Sequence, residues 1–346
     1  MKQEIEDKLI QRRDTILDSS ELAAIAKLES EVTFGFLEYC RENDFILVNV
    51  PHLTLATGAC ENFSTVFSAD LQGTTTYLSQ TGQLYLEAFL HRFPKTCCVG
   101  SSFRKEERVD PRHAIEFTLL EIEVTDCDLV QLRRYAGEII QRMIKNMKDK
   151  CPKELEILGI DSSWLETFNP PYNAITYEEA IKKLGLSWGS DLSHEQEQEL
   201  VRQNGFKPLF VTHYPKEIKF FNMRTNRGDS KIVNSMDMLL PYSGESLGAA
   251  EREENYEILK KRLEDSKMVE LMMGSISLEL GMQGKSKSEL KEICISRFKW
   301  YVNHVKRYPL QHAGFGMGGN RVFQSLLGAR DIRVAGSYVV NKDNLL

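Results

Sequence analysis

Several things are missing from this 346-residue sequence, and each absence narrows what the chain does. No apolar stretch approaches the roughly 20 residues that a membrane-crossing helix needs, so no helical span is expected. The first residues, MKQEIEDKLIQRRD, are too charged for a secretory leader. A basic excess is missing too: 44 Lys and Arg stand against 50 Asp and Glu, a net charge of -6. Nucleic acid held by bulk charge is thereby disfavoured, and any such contact needs a local patch. Cysteine is scarce and scattered. Cys40, Cys60, Cys97, Cys98, Cys127, Cys151 and Cys294 are odd in number and form no C-x-x-C pair. That argues against structural zinc and for a reduced, cytoplasmic protein. Internal repeats, low-complexity tracts and the G-x-x-x-x-G-K-[ST] phosphate loop are all absent.

What remains is ordinary globular composition, 42% hydrophobic and 27% charged. Residues 1–45 read mostly as helix, with Ser and Glu placed to cap SSELAAIAKLESEV. FILVNVPHLT is a β-type run broken by Pro51, and TTTYLSQTGQLYLEAFL a strand that turns at Gly82 into a helix. KTCCVGSSFRKEE and HAIEFTLLEIEVT are two β-prone runs flanking a charged loop, and they predict a long antiparallel hairpin. Along the second run Ile115, Phe117, Leu119 and Glu121 share one face. Residues 128–151 form an amphipathic helix, and 152–187 are irregular with a turn at NPPYN. KPLFVTHYP, IKFFNMR and SKIVNSMDMLLP are three further strand candidates, and 250–305 is helical with a break at GMQGKSKSE. Strands on both sides of a helical middle predict an α+β fold on an antiparallel or mixed sheet.

Two stretches stand out. GSSFRKEERVDPRHAIEFTLLEIEV, residues 100–124, gathers three arginines, a lysine and a histidine around one loop. Such a loop is suited to a ligand with several negative charges. HAGFGMGGNRVFQSLLG, residues 312–328, has Gly314, Gly316, Gly318 and Gly319 ahead of Arg321. The glycines alone read as a strand packed closely against another backbone. Arg321 falls in the first turn of a helix, where a cation opposes the helix dipole, so it needs a partner or a ligand.

The first stretch resembles motif 2 of the class II aminoacyl-tRNA synthetases in Phe103, Arg104, Glu106, Arg112, His113, Glu116 and Phe117, and the second resembles their motif 3. The segment around Pro51 resembles motif 1. SQTGQLYLEAF, WGSDLSHEQEQEL, VTHYPKEIKFFNMR and SMDMLLPYSGESLGAAEREE are similar to blocks of the asparaginyl-tRNA synthetase catalytic domain. The lineage also includes stand-alone asparagine synthetases. The resemblance implies an antiparallel sheet flanked by helices, in a homodimer. It divides the chain into an N-terminal helical extension, 1–30, and a catalytic domain, 31–346, with helical insertions near 150–187 and 265–295. It also implies ATP and Mg²⁺ as cofactors. Arg104 would join the α-phosphate to the substrate carboxylate, while Arg112 and His113 reach the outer phosphates. Glu106 would meet the adenine amino group. Phe117 would lie under the base, with Arg321 over it as a cation–π cover and Gly318 beside it. Asp237 and Glu245 would hold Mg²⁺. Gln83 would contact the α-amino group, with Glu61 nearby, while Glu87 would accept from the side-chain amide NH₂ and Arg252 donate to the amide oxygen. Arg104 and Arg321 would act by alignment and charge neutralisation, with no protein nucleophile. Leu86 stands where aspartate-activating relatives carry a lysine, and a carboxylate at 87 would repel aspartate. Asparagine or a close analogue is the expected substrate.

Three departures accompany the resemblance. The roughly 30 to 40 residues ahead of the core are too few for an anticodon-binding barrel, so none is expected there. Asn320 replaces the acidic residue before the motif 3 arginine. GAAERE replaces GGSQRE, so that Ala249 is expected to add a methyl beside the substrate and Ala250 to remove a hydroxyl. The expected activity is adenylation of asparagine, or an analogue such as aspartate, followed by acyl transfer to a nitrogen nucleophile. Asparagine synthesis from aspartate and ammonia, a truncated tRNA synthetase with tRNA as a less favoured acceptor, and an inactive regulatory paralogue stay open.

Overall fold

A computed structural model of the chain describes residues 1–56, 65–106, 110–277 and 282–342. The chain opens with α1 (Gln3–Leu9) and α2 (Ser20–Glu42), the latter started by the Ser19 side chain accepting from the Leu22 N–H. Next come β1 (Ile46–Leu47), β2 (Leu53–Thr54), β3 (Ser68–Leu71), β4 (Thr74–Leu78) and α3 (Gln83–Glu87). β5 (Lys95–Phe103) and β6 (Glu116–Thr125) are the expected hairpin, in register from Lys95↔Val124 to Phe103↔Glu116. α4 (Leu129–Lys150) begins with a reciprocal cap between Asp128 and Gln131. α5 (Pro152–Ile157), α6 (Ser162–Glu166), β7 (Asn173–Thr176), α7 (Tyr177–Leu184), α8 (His194–Gln203) and β8 (Leu209–Thr212) follow. β9 (Ser235–Leu240) and β10 (Gly244–Glu251) precede α9 (Tyr256–Glu264), α10 (Lys267–Ile276), α11 (Lys287–Arg297) and α12 (Lys299–Arg307). β11 (His312–Gly318) and α13 (Gly319–Leu327) complete the set.

Eight strands form one sheet in the order β1-β5-β6-β11-β10-β9-β8-β7, antiparallel except for the two end pairs. β2, β4 and β3 make a separate three-stranded sheet. The period-two alternation of β6 decides the sheet's two faces. Leu120, Ile122 and Val124 enter the main core with Phe315, Met317, Phe36, Ile140 and Met143, beneath α2 and α4. Each such side chain contributes about 1.5–3 kcal/mol when fully buried. The opposite face, with Leu119 and Glu121, floors a cleft. A second core behind α3 and β4 joins Leu84 and Tyr77 to Leu259, Met272, Phe298 and Tyr301.

The α+β class and the flanked, mostly antiparallel sheet agree with expectation, while several elements differ. β7 falls in a stretch expected to be irregular, yet it pairs with β8 and brings part of the 150–187 segment into the main sheet. β10 lies between β9 and β11 although its Gly, Ser and Ala residues lack strand propensity. Pairing on both edges outweighs that weakness. IKFFNMR, expected as a strand, is a turn segment. Its carbonyls are taken outside any ladder: Arg262 donates to Phe220 and Met223, and the Glu253 N–H to Asn222. Residue 30 lies inside α2, whose buried face belongs to the main core. The six cysteines in the described residues are buried, and no described helix is long and apolar enough to cross a membrane.

Candidate active site

An open cleft of about 930 Å³ sits on the exposed face of β6, β10 and β11, beside the first turn of α13. Of the residues expected there, Gln83, Arg104, Arg112, His113, Phe117, Asp237, Glu245, Arg252, Gly318 and Arg321 line it. Glu106 follows Arg104 in the loop without lining the cleft, and Glu87 is buried behind Gln83 and Arg252. Glu61 lies outside the described residues.

Cations crowd one part of the cleft. The Arg104 N–H bonds the Ile115 carbonyl at 2.7 Å, closing the loop, and its guanidinium lies 5.1 Å from the Phe117 ring centre. Arg104 thus makes a cation–π contact with that ring. Arg112 Nη2 is 3.0 Å from Glu197 Oε2, a carboxylate supplied by α8. His113 Nδ1 is 2.7 Å from Asp110 Oδ2, and Asp110 Oδ1 accepts the N–H groups of both Arg112 and His113. The C-terminal segment braces this loop: the Ile332 N–H donates to the Pro111 carbonyl and the Ile115 N–H to the Val340 carbonyl, both at 2.7 Å. Arg321 Nη1 donates to the Glu245 carbonyl at 2.7 Å, the partner its helical position called for. Burial, then repulsion from Arg112 and Arg104, brings the Arg321 guanidinium down to about 10. Cations crowded to that degree favour a polyanion in the cleft.

Asp237 on β9 and Gly248 on β10 are cross-strand partners. A Cβ on Gly248 would stand 3.7 Å from both Asp237 Oδ1 and Glu245 Oε1, so the two carboxylates converge over a floor with no side chain. Lys219 Nζ takes the other oxygen, Asp237 Oδ2, at 2.7 Å. Burial raises the Asp237 carboxyl above its usual range, opposed by Lys219 and reinforced by Glu245. Burial also opposes ionisation of Glu245, yet Lys219 and Arg321 hold it below that range. Two converging hard oxygens fit a magnesium ion that also carries phosphate oxygens.

A second, fully buried constellation surrounds Glu87. Its Oε1 accepts from Gln83 Nε2 at 2.6 Å, and its Oε2 from the Tyr301 hydroxyl at 2.7 Å and His312 Nε2 at 3.0 Å. Arg252 Nη2 donates to Glu123 Oε1 at 2.5 Å, while its Nε stands 3.9 Å from Glu87 Oε1. Burial opposes charge on Glu87, but His312 and Arg252 outweigh it and keep Glu87 ionised; Glu87 in turn raises His312. Burial, with repulsion from Glu87, raises Glu123 despite Arg252. Glu87, Glu123 and His312 have metal-like spacing. Arg252 already supplies their cation, so they form a buried ion network.

Glu123, Glu197, Lys219, Tyr301 and His312 were not singled out in the sequence as functional. Glu123 continues the Phe117–Leu119–Glu121 alternation and was legible there; Tyr301 and Lys219 carry no local signal. Ala249 corrects an expectation. Its methyl enters the main core and does not line the cleft, because residues 248 and 249 face opposite sides of the sheet. Ala250 packs with Met223 and Val233. Asn320 ties the sheet to the C-terminal segment, its Oδ1 accepting from the Thr118 N–H and its Nδ2 donating to the Ala335 carbonyl. Gly314 bears out the packing reading of the glycines, since a Cβ there would overlap the Ile122 carbonyl oxygen.

Residues 6–342 match the family model of tRNA synthetases class II (D, K and N). An asparagine–tRNA ligase of Desulforamulus reducens is 30% identical over 322 residues, which cover 91% of this chain and 68% of the relative. Another, from Clostridium beijerinckii, is 31% identical over 91% of this chain and 69% of its own length. A crystal structure of asparaginyl-tRNA synthetase from Pyrococcus horikoshii, complexed with asparaginyl-adenylate, superposes with a TM-score of 0.82 at 29% identity, over 96% of this chain and 72% of that one. With the family model, the sequence relatives and the overall superposition in agreement, the chain belongs to the class II tRNA synthetases (D, K and N), a family of ATP-dependent, AMP-forming ligases.

Proposed function

We propose that this cleft adenylates asparagine and passes the asparaginyl group to a nitrogen nucleophile. The observation that carries the reading is the charge balance around Glu87. A carboxylate offers about four acceptor sites, and Gln83, Tyr301 and His312 occupy three of them. Gln83 and Arg252, which line the cleft in front of Glu87, carry this network to the substrate. Glu87 is balanced by His312, and Glu123 by Arg252. A neutral asparagine side chain preserves this balance, whereas aspartate would add an uncompensated charge in a buried pocket. In this reading Arg104 aligns the substrate carboxylate with the α-phosphate, and Arg112, His113 and Arg321 stabilise the phosphate charge. Asp237 and Glu245 would hold the magnesium ion, which neutralises charge on the phosphates when bound.

Pyrophosphate exchange across the amino acids tests the proposal. Exchange with asparagine well above aspartate is expected, and exchange with no amino acid overturns it. The acceptor is read separately, by mass analysis of products formed with ammonium or simple amines and by charging of total tRNA. Charging without amide products would replace the nitrogen acceptor by tRNA. A homodimer belongs to the same proposal; Ile46 and Leu47 lie exposed on the sheet edge at β1, and light scattering measures the state.

A further inference from the structure

Lys219 has a place in the cleft that the adenylation scheme leaves unexplained. It follows a short turn at Lys216–Ile218, its side chain is 14% exposed, and it lines the cleft. Its ammonium lies 2.7 Å from Asp237 Oδ2 and 4.1 Å from the centre of the Tyr214 ring. An ion pair and a cation–π contact from two sides hold it in one position. The remaining Asp237 oxygen, Oδ1, converges with Glu245 Oε1 over Gly248.

We infer that Lys219 is a positioning residue that reserves the Asp237–Glu245 pair for a metal ion arriving with the nucleotide. The inference rests on the proposed nucleotide reading of the cleft. Two carboxylates facing one point would alone present two negative charges and attract free divalent cations. Lys219 offsets one of these charges, so the free protein holds a divalent ion weakly. It also turns Asp237, presenting Oδ1 rather than Oδ2 to the shared point. A triphosphate brings its own negative charge, matched by Arg104, Arg112 and Arg321, and restores the attraction. Metal and nucleotide therefore bind with strong mutual coupling.

The distinguishing test is a pair of opposite signs. Free Mn²⁺ is titrated by its EPR signal into wild type, K219Q, K219M and K219R, without and with ATP, and pyrophosphate exchange is measured alongside. D237N marks the site, and melting curves establish folding. K219M is a second neutral variant whose thioether can rest on the Tyr214 ring. The neutral variants are expected to bind Mn²⁺ without ATP about tenfold more tightly, because a unit charge within about 5 Å of a divalent ion has that effect even at the dielectric of water. The same variants lose exchange activity, while K219R keeps the weak Mn²⁺ binding of wild type. A merely structural lysine would lower both quantities when removed. Neutral variants that bind Mn²⁺ no more tightly, in a wild type that exchanges normally, overturn the role of Lys219 and leave the nucleotide reading standing. A wild type that neither exchanges nor binds Mn²⁺ with ATP removes both.

Discussion

Removing Arg252 separates folding from chemistry. Its guanidinium donates to Glu123 at 2.5 Å and lies 3.9 Å from Glu87, with all three side chains at most 3% exposed. R252M leaves two buried carboxylates facing each other with only His312 to offset them. Breaking one member of a buried pair costs about 3–5 kcal/mol. Adding E123Q removes one of the stranded charges. Glu87 then keeps its hydrogen bonds from Gln83, Tyr301 and His312. The double variant should recover most of the loss and lie within about 1–2 kcal/mol of wild type, since replacing both partners is far cheaper than stranding one. The coupling energy is therefore at least about 1 kcal/mol. Urea unfolding of wild type, R252M, E123Q and the double variant measures it. Asparagine-dependent pyrophosphate exchange on the same samples should stay lost in the double variant, because the donor to the amide oxygen is gone. A double variant as unstable as R252M refutes the ion-network reading, and one that regains exchange refutes the substrate contact.

Three further outcomes are expected. Burial and Glu87 raise the Glu123 carboxyl above its ordinary 4.5, so ionising it costs stability as pH climbs from 4.5 through the folded value; the E123Q-minus-wild-type difference in Tm should shift in the variant's favour between pH 5 and 8, and the opposite slope contradicts the assignment. A Cβ at position 314 would overlap the Glu123 carboxylate and the Ile122 carbonyl, whereas at 316 its nearest neighbour is 3.6 Å away; G314A should therefore lose about 3 kcal/mol or fail to fold, while G316A folds normally and loses exchange because its methyl stands on the cleft floor. Arg13, 1% exposed, donates to the carbonyls of Leu9, Arg333, Gly336 and Ser337; R13M should cost about 2–4 kcal/mol and speed proteolysis of the C-terminal segment, with the KM for ATP rising more than that for the amino acid, since that segment braces the Pro111–Ile115 loop.

What could be read along the chain was whatever is local. The β5–β6 hairpin was legible because alternation is a property of consecutive residues, and the α4 cap because Asp128 and Gln131 are three apart. The family was legible because its blocks run contiguously through Arg104–Phe117, Gln83–Glu87 and Gly314–Arg321. β10 escaped because its pairing on both edges, not its composition, makes it a strand. IKFFNMR reads as a strand but folds as a turn, because Arg262 of α9 takes two of its carbonyls. Among the site residues, chemical type and order along the chain were available in advance; partners were not. Tyr301 reaches Glu87 across 214 positions, and Glu197 reaches Arg112 across 85. Nothing in a local pattern encodes such meetings. They arise when helices α9 to α12 and α8 pack onto the sheet, and that packing sets which oxygens remain for a substrate and which cations remain for its phosphates.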